Sequence, residues 1–98
     1  MHTLTAKLTF HIHHADSLKD KRQISRSLIT KTRQKFNISI AEVDTQDIHR
    51  ILTIGIAVVS GEYGKRLACE TLHSNSLDEI VRFMECNEDA ELTGVEYD

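Results

Sequence analysis

The chain has 98 residues, 40% of them hydrophobic and 28% charged, with a formal net charge of −3. That composition is ordinary for one folded domain and excludes a disordered tail, a collagen-like chain and a disulfide-dense scaffold. No apolar run approaches the ~20 residues a membrane span needs, and Met1-His2-Thr3-Leu4 lacks the basic start and apolar stretch of a signal peptide.

Leu4, Ala6, Leu8, Phe10 and Ile12 alternate with Thr3, Thr5, Lys7, Thr9 and His11. This period of two predicts a half-buried strand. Ser17-Leu-Lys-Asp20 then fits a capping box at a helix start. At 100° per residue, Leu18, Ser25, Leu28, Ile29, Thr32 and Phe36 form one stripe, so this helix runs to about Lys35 and stops near Asn37. Ile38 to Val43 reads as a second strand, and Asp44-Thr45-Gln46-Asp47 as a connection. Ile51 to Val59 is β-branched and apolar on both faces, the pattern of a central strand, and Ser60-Gly61 ends it.

A second helix is predicted from about Tyr63 to Glu85, where Cys69, Leu72, Ser76, Ile80 and Phe83 recur at helical spacing. Its weak point is Ser74-Asn75-Ser76, where the helix either kinks or restarts. On one continuous helix, Cys69 and Cys86 stand ~25 Å apart, too far for a disulfide. Two unpaired thiols suit a reducing compartment, so a cytoplasmic location is the expectation. Leu92 to Tyr97 is a short last strand. The order β-α-β-β-α-β predicts a single α+β domain over residues 1–98, a ferredoxin-like plait: a four-stranded antiparallel sheet with two helices on one face.

The segments Ser17-Leu-Lys-Asp-Lys-Arg22 and Phe36-Asn-Ile-Ser-Ile-Ala-Glu-Val-Asp44, followed by Gln46-Asp47 and by Gly55-Ile-Ala-Val-Val-Ser60, resemble the YlxP-like family of small bacterial proteins. The resemblance covers nearly the whole chain. It implies a ferredoxin-like fold, no assigned activity and no cofactor. Family genes often neighbour translation and ribosome-maturation genes, which implies a role near the ribosome. After Gln46-Asp47 the family often reads Leu-Trp-Gln-Arg-Ala, whereas this chain reads Ile48-His49-Arg50-Ile51-Leu52.

Charge is distributed unevenly. Residues 19–35 hold seven basic side chains against Asp20, or +6, and residues 78–98 hold eight acids against Arg82, or −7. Lys19, Arg22, Arg26 and Arg33 fall within about 60° of one another along ~21 Å of helix. Such a row suits phosphate oxygens along a nucleic-acid backbone. The same row is equally able to pair with Asp78, Glu79 and Glu85 of the second helix.

The sheet face away from the helices is expected to show Thr5, Lys7, Thr9, His11, Thr53, Gly55, Ala57 and Val59. It lacks the aromatics that plait-fold RNA-recognition domains stack on bases. Recognition of structured RNA by its backbone, or contact with another protein, is what remains. The small-residue face and the exposed sheet edges also suit a homodimer.

His11 and His13 lie within reach of a shared ion, but no cysteine or carboxylate sits at ligand spacing along the chain, so no metal site is expected. Glu42, Asp44 and Asp47 resemble an acid/base or hard-ion cluster in composition, against which stands a solvated hairpin end. A small enzyme would use Glu42, Asp44 and His49. No phosphate loop, G-x-S-x-G or H-E-x-x-H motif occurs. The leading expectation is a non-enzymatic accessory protein, without cofactor or membrane contact, that binds structured RNA or a ribosomal particle through Lys19, Arg22, Arg26 and Arg33. The alternative is a protein–protein module, homodimeric.

Overall fold

The alternating segment at the N-terminus forms a ten-residue strand, β1 (His2–His11), in a computed structural model that describes residues 2–60 and 77–97. The capping box works largely as the sequence predicts. Ser17 is the N-cap of α1 (Leu18–Lys35), and its Oγ accepts from the Asp20 backbone N–H at 3.2 Å. The return arm goes one residue further back than the motif implies, because Asp20 Oδ2 accepts from the Asp16 N–H at 3.1 Å. Phe36 leaves the helix in extended conformation and still donates its N–H to Thr32 O at 2.9 Å.

Strand β2 (Ser39–Glu42) is followed by β3 (Ile51–Ser60). A second helix, α2, is described over residues 77–85, and β4 (Glu91–Tyr97) follows it. The strand order is β2-β3-β1-β4 and every pairing is antiparallel. This is the ferredoxin-like β-α-β-β-α-β plait expected from the sequence. The predicted break at Ser74–Ser76, and Cys69, lie outside the described residues. Among the described residues, no helix is long and apolar enough to cross a membrane.

Alternation sends Ala6, Leu8, Phe10 and Ile12 of β1 inward, with Leu52, Ile54 and Ile56 of β3 beside them. They meet Leu28 of α1 and Leu77, Ile80, Val81 and Met84 of α2 in one core. Phe36 and Phe83 join the two helices in an edge-to-face contact at 5.6 Å, and the Lys35 ammonium lies over both rings. Thr32, fully buried, satisfies its hydroxyl on Leu28 O at 2.7 Å.

Two departures from the sequence expectation matter later. Leu18, Ile29 and Phe36 sit only at the margin of the buried α1 stripe, whereas Lys21 is buried in it beside Ser25, Leu28 and Thr32. Thr53, expected on the open face, is buried because Thr45 folds over it with the two hydroxyl oxygens 2.8 Å apart.

The α2–β4 turn depends on one side chain. Asn87 donates from Nδ2 to Met84 O at 2.7 Å, and its Oδ1 accepts from the Asp89 and Ala90 N–H groups at 2.8 and 2.7 Å. Removing three such bonds at a half-buried position costs about 2 kcal/mol, since each contributes a net ~0.5–1.5 kcal/mol. Asn87→Ala is therefore expected to lower the urea midpoint with an unchanged m-value; an unchanged midpoint would show that the turn is held by packing alone.

Candidate nucleic-acid interface

Helix α1 carries both the basic row and a buried cation, and the two have different jobs. Lys21 is 1% exposed. Its Nζ donates to Ile48 O at 2.8 Å and to Thr45 O, and lies 2.9 Å from Glu42 Oε2. Of the three donors of an ammonium, two go to the carbonyls, and the charge is balanced by Glu42 at ion-pair distance. Glu42 Oε1 takes the Ser25 hydroxyl at 3.4 Å. Lys21 thus clamps the β2–β3 connection to the helix. Its burial keeps it from any ligand, although it contributes to the +6 that the sequence segment displays.

The acidic cluster does not assemble. Glu42 pairs in register with Ile54, on the helix side of the sheet. The strand ends there, and Asp44 takes a left-handed conformation with φ 56°, a conformation that Asp tolerates better than most residues. This turns Asp44 to the opposite face, where its carboxylate meets Lys7 Nζ at 2.8 Å. The Lys7 pKa is raised above its ordinary value, first by that hydrogen bond and then by the charge of Asp44. Asp47 is exposed and His49 half-buried in the connection. Glu42 and Asp44, which would share a face had the strand continued, are divided by the sheet, so the suggested Glu42–Asp44–His49 site does not form.

The row itself is exposed: Lys19, Arg22, Arg26 and Arg33 all reach solvent. Among the described residues, none of the four has a carboxylate oxygen within 4.0 Å. The suggested pairing with Asp78, Glu79 and Glu85 of α2 is absent from the described ion pairs. Arg33 differs from the others, because its Nη2 donates to Ile40 O at 3.1 Å and ties α1 to β2. Lys19, Arg22 and Arg26 are therefore the freer part of the row.

On the open face, β1 and β3 present Lys7 in register with Gly55, flanked by Thr9 and Ala57, and Val43 closes over Gly55. A shallow trough of about 830 Å³ runs between β2 and β4 across this face. By alternation along the described strands, no Phe or Trp lies on it, and Tyr97, the last residue of β4 and 55% exposed, lines the trough at its β4 end. Tyr97 pairs in register with Ala6, whose side chain points to the core.

The histidines end differently from the sequence expectation. His11 pairs in register with Glu91, so β4 supplies the carboxylate that the local sequence lacks. His13 Nε2 and Glu91 Oε1 are 2.7 Å apart, across 78 residues of chain. Linear spacing carries no signal for this neighbour, which depends on the β1–β4 register.

Comparison with known proteins yields a family and a curated relative. The family model described as "Protein of unknown function (DUF503)" matches residues 3–97. The "Uncharacterized protein YlxP" of Bacillus subtilis (strain 168) is 43% identical over 49 residues, covering 50% of this chain. The match spans 53% of that relative, about half its length.

Proposed function

The chain belongs to the DUF503 family of proteins of unknown function, and from that premise we propose that it is an accessory protein that contacts structured RNA, or a ribosomal particle, through the basic face of α1. The observation that carries this reading is the contrast between neighbouring cations. Lys21 is neutralised internally, while Lys19, Arg22 and Arg26 stay exposed without a carboxylate partner among the described residues. Such a row meets phosphates along a duplex without reading bases, and among the described residues the central strands β1 and β3 turn no aromatic to the open face for base stacking, which fits backbone rather than base recognition. Arg33 extends the row with the donors that its bond to Ile40 leaves over.

The test is a titration of ribosomal RNA fragments at two salt concentrations. The wild type is compared with a variant carrying Lys19→Ala, Arg22→Ala and Arg26→Ala. Every phosphate that a side chain no longer neutralises should flatten the log–log salt slope by about 0.7–0.9. The triple variant, with exposed side chains only, should remain folded and show a slope about two units shallower. Absence of binding by the wild type at low salt would overturn the reading.

A second reading is a homodimeric interaction module, supported by the small-residue trough and by Val59, which is exposed on the same face. A dimer mass by light scattering, together with no RNA binding, would favour it.

A further inference from the structure

We propose that His11, His13 and Glu91 form a binding site for a divalent transition-metal ion such as Zn²⁺, built across the β1–β4 pair. One ligand atom from each of the three residues lies within 4.8 Å of the other two. The imidazole rings of His11 and His13 meet edge-on with centroids 4.3 Å apart, and Glu91 is already in contact with His13. In a tetrahedral centre with bonds of about 2.0–2.1 Å, ligand atoms stand about 3.3 Å apart. The widest separation therefore has to contract by no more than ~1.5 Å, and the 2.7 Å His13–Glu91 contact has to open slightly, both within the reach of side-chain rotation for half-buried and exposed groups.

The backbone beneath these side chains is well tied. His11 and Glu91 are register partners in an antiparallel ladder. Ile12, between the two histidines, is fully buried and donates its N–H to Arg50 O at 2.8 Å. Arg50 in turn reaches the His13 carbonyl at 3.5 Å. On the other strand, Asn87 fixes the turn that leads directly into Glu91. Two of the ligands, His11 and Glu91, thus stand on paired strands, and His13 lies in the turn just beyond β1, held by the buried Ile12 before it and by Arg50 at its carbonyl.

The donor set chooses the ion. Two nitrogens and one carboxylate oxygen suit Zn²⁺, Ni²⁺, Co²⁺ or Fe²⁺, whereas Mg²⁺ and Ca²⁺ favour oxygen alone. His13 and Glu91 also line an open groove of about 420 Å³ with Glu85, Glu88 and Asp89. Its excess of carboxylates raises the local concentration of cations, and its open side leaves coordination positions for water or a substrate oxygen. With three protein ligands, the site has the ligand count of an open rather than a closed centre.

Isothermal titration of the full chain with ZnCl₂ tests the site. The expected result is one saturable Zn²⁺ per chain, with MgCl₂ giving no heat of binding. His13→Ala and Glu91→Gln, both at exposed positions, should each weaken Zn²⁺ at least about tenfold, because even outer residues of metal sites contribute that much. His11→Ala should do the same. His49→Ala and Cys86→Ser should leave the affinity unchanged. Thermal melts without metal check that the variants are folded, and added Zn²⁺ should raise the melting temperature of the wild type, His49→Ala and Cys86→Ser well above any rise in the His11, His13 and Glu91 variants. Absence of saturable binding overturns the proposal. So does binding that survives His13→Ala and Glu91→Gln in folded protein, or binding that disappears with Cys86→Ser.

Discussion

Lys21→Met is expected to destabilise the fold by about 3–5 kcal/mol, the cost of removing one partner from a buried ion pair. Methionine fills the space of the lysine stem but supplies no donor. Glu42 Oε2, inaccessible to water, then keeps its charge without its counter-ion, and the carbonyls of Thr45 and Ile48 lose the ammonium and keep only their backbone donors, Ile48 N–H and Ile51 N–H. A small domain has only about 5–15 kcal/mol in total, so this variant sits close to unfolding at ordinary temperature. A midpoint in urea read against an unchanged m-value measures the change. The double variant Lys21→Met with Glu42→Leu separates the cost of stranding one charge from the net contribution of the pair. Replacing both charges by apolar groups removes the stranded carboxylate, so the double variant should be more stable than Lys21→Met alone. A destabilisation below ~1 kcal/mol for Lys21→Met would mean that other interactions hold the β2–β3 connection.

Phe10→Ala should cost a similar amount for a different reason. Phe10 is fully buried, paired with Leu52 on one side and Leu92 on the other. It lies beside a register shift, since Thr9 pairs with Gly94 and Phe10 with Leu92, leaving Thr93 as the extra residue. Thr93 turns its hydroxyl to Thr9 O at 3.1 Å. Deleting the ring removes its transfer free energy and leaves a cavity that the paired strands cannot collapse, together about 3–5 kcal/mol. Phe10→Leu retains most of the volume and should be far less destabilised. Comparing the two by thermal denaturation distinguishes a packing defect from a general sensitivity of β1. Equal effects from both would show that ring shape, not volume, is what the site requires.

The strands and helices were largely legible because their signals are local. The Leu4–Ile12 alternation and the α1 periodicity each depend on residues no more than a few positions apart. Gly55 also fits this pattern: it lies in a central strand, and Val43 closes over the space its missing side chain leaves. The face of α1 was legible only in part. Lys21 lies seven residues before Leu28, nearly two whole turns, and so shares its face. A lysine at that angle reads as a solvated edge until acceptors appear opposite it. Those acceptors come from Glu42, Thr45 and Ile48, between 21 and 27 residues further along the chain.

By itself, the sequence determined the order of elements, the inward faces of β1 and β3, the N-cap at Ser17 and the alignment of the basic row along one side of α1. All of these follow from periodicity and from short-range hydrogen bonding. Tertiary structure alone decided which charges meet. It buried Lys21 against Glu42, sent Asp44 to the far face through one left-handed residue, and brought Glu91 beside His11 and His13. The physical reason is that an electrostatic or coordinative contact depends on distances of about 3–4 Å in space. Strand register and loop path set those distances, and residue spacing along the chain does not encode them.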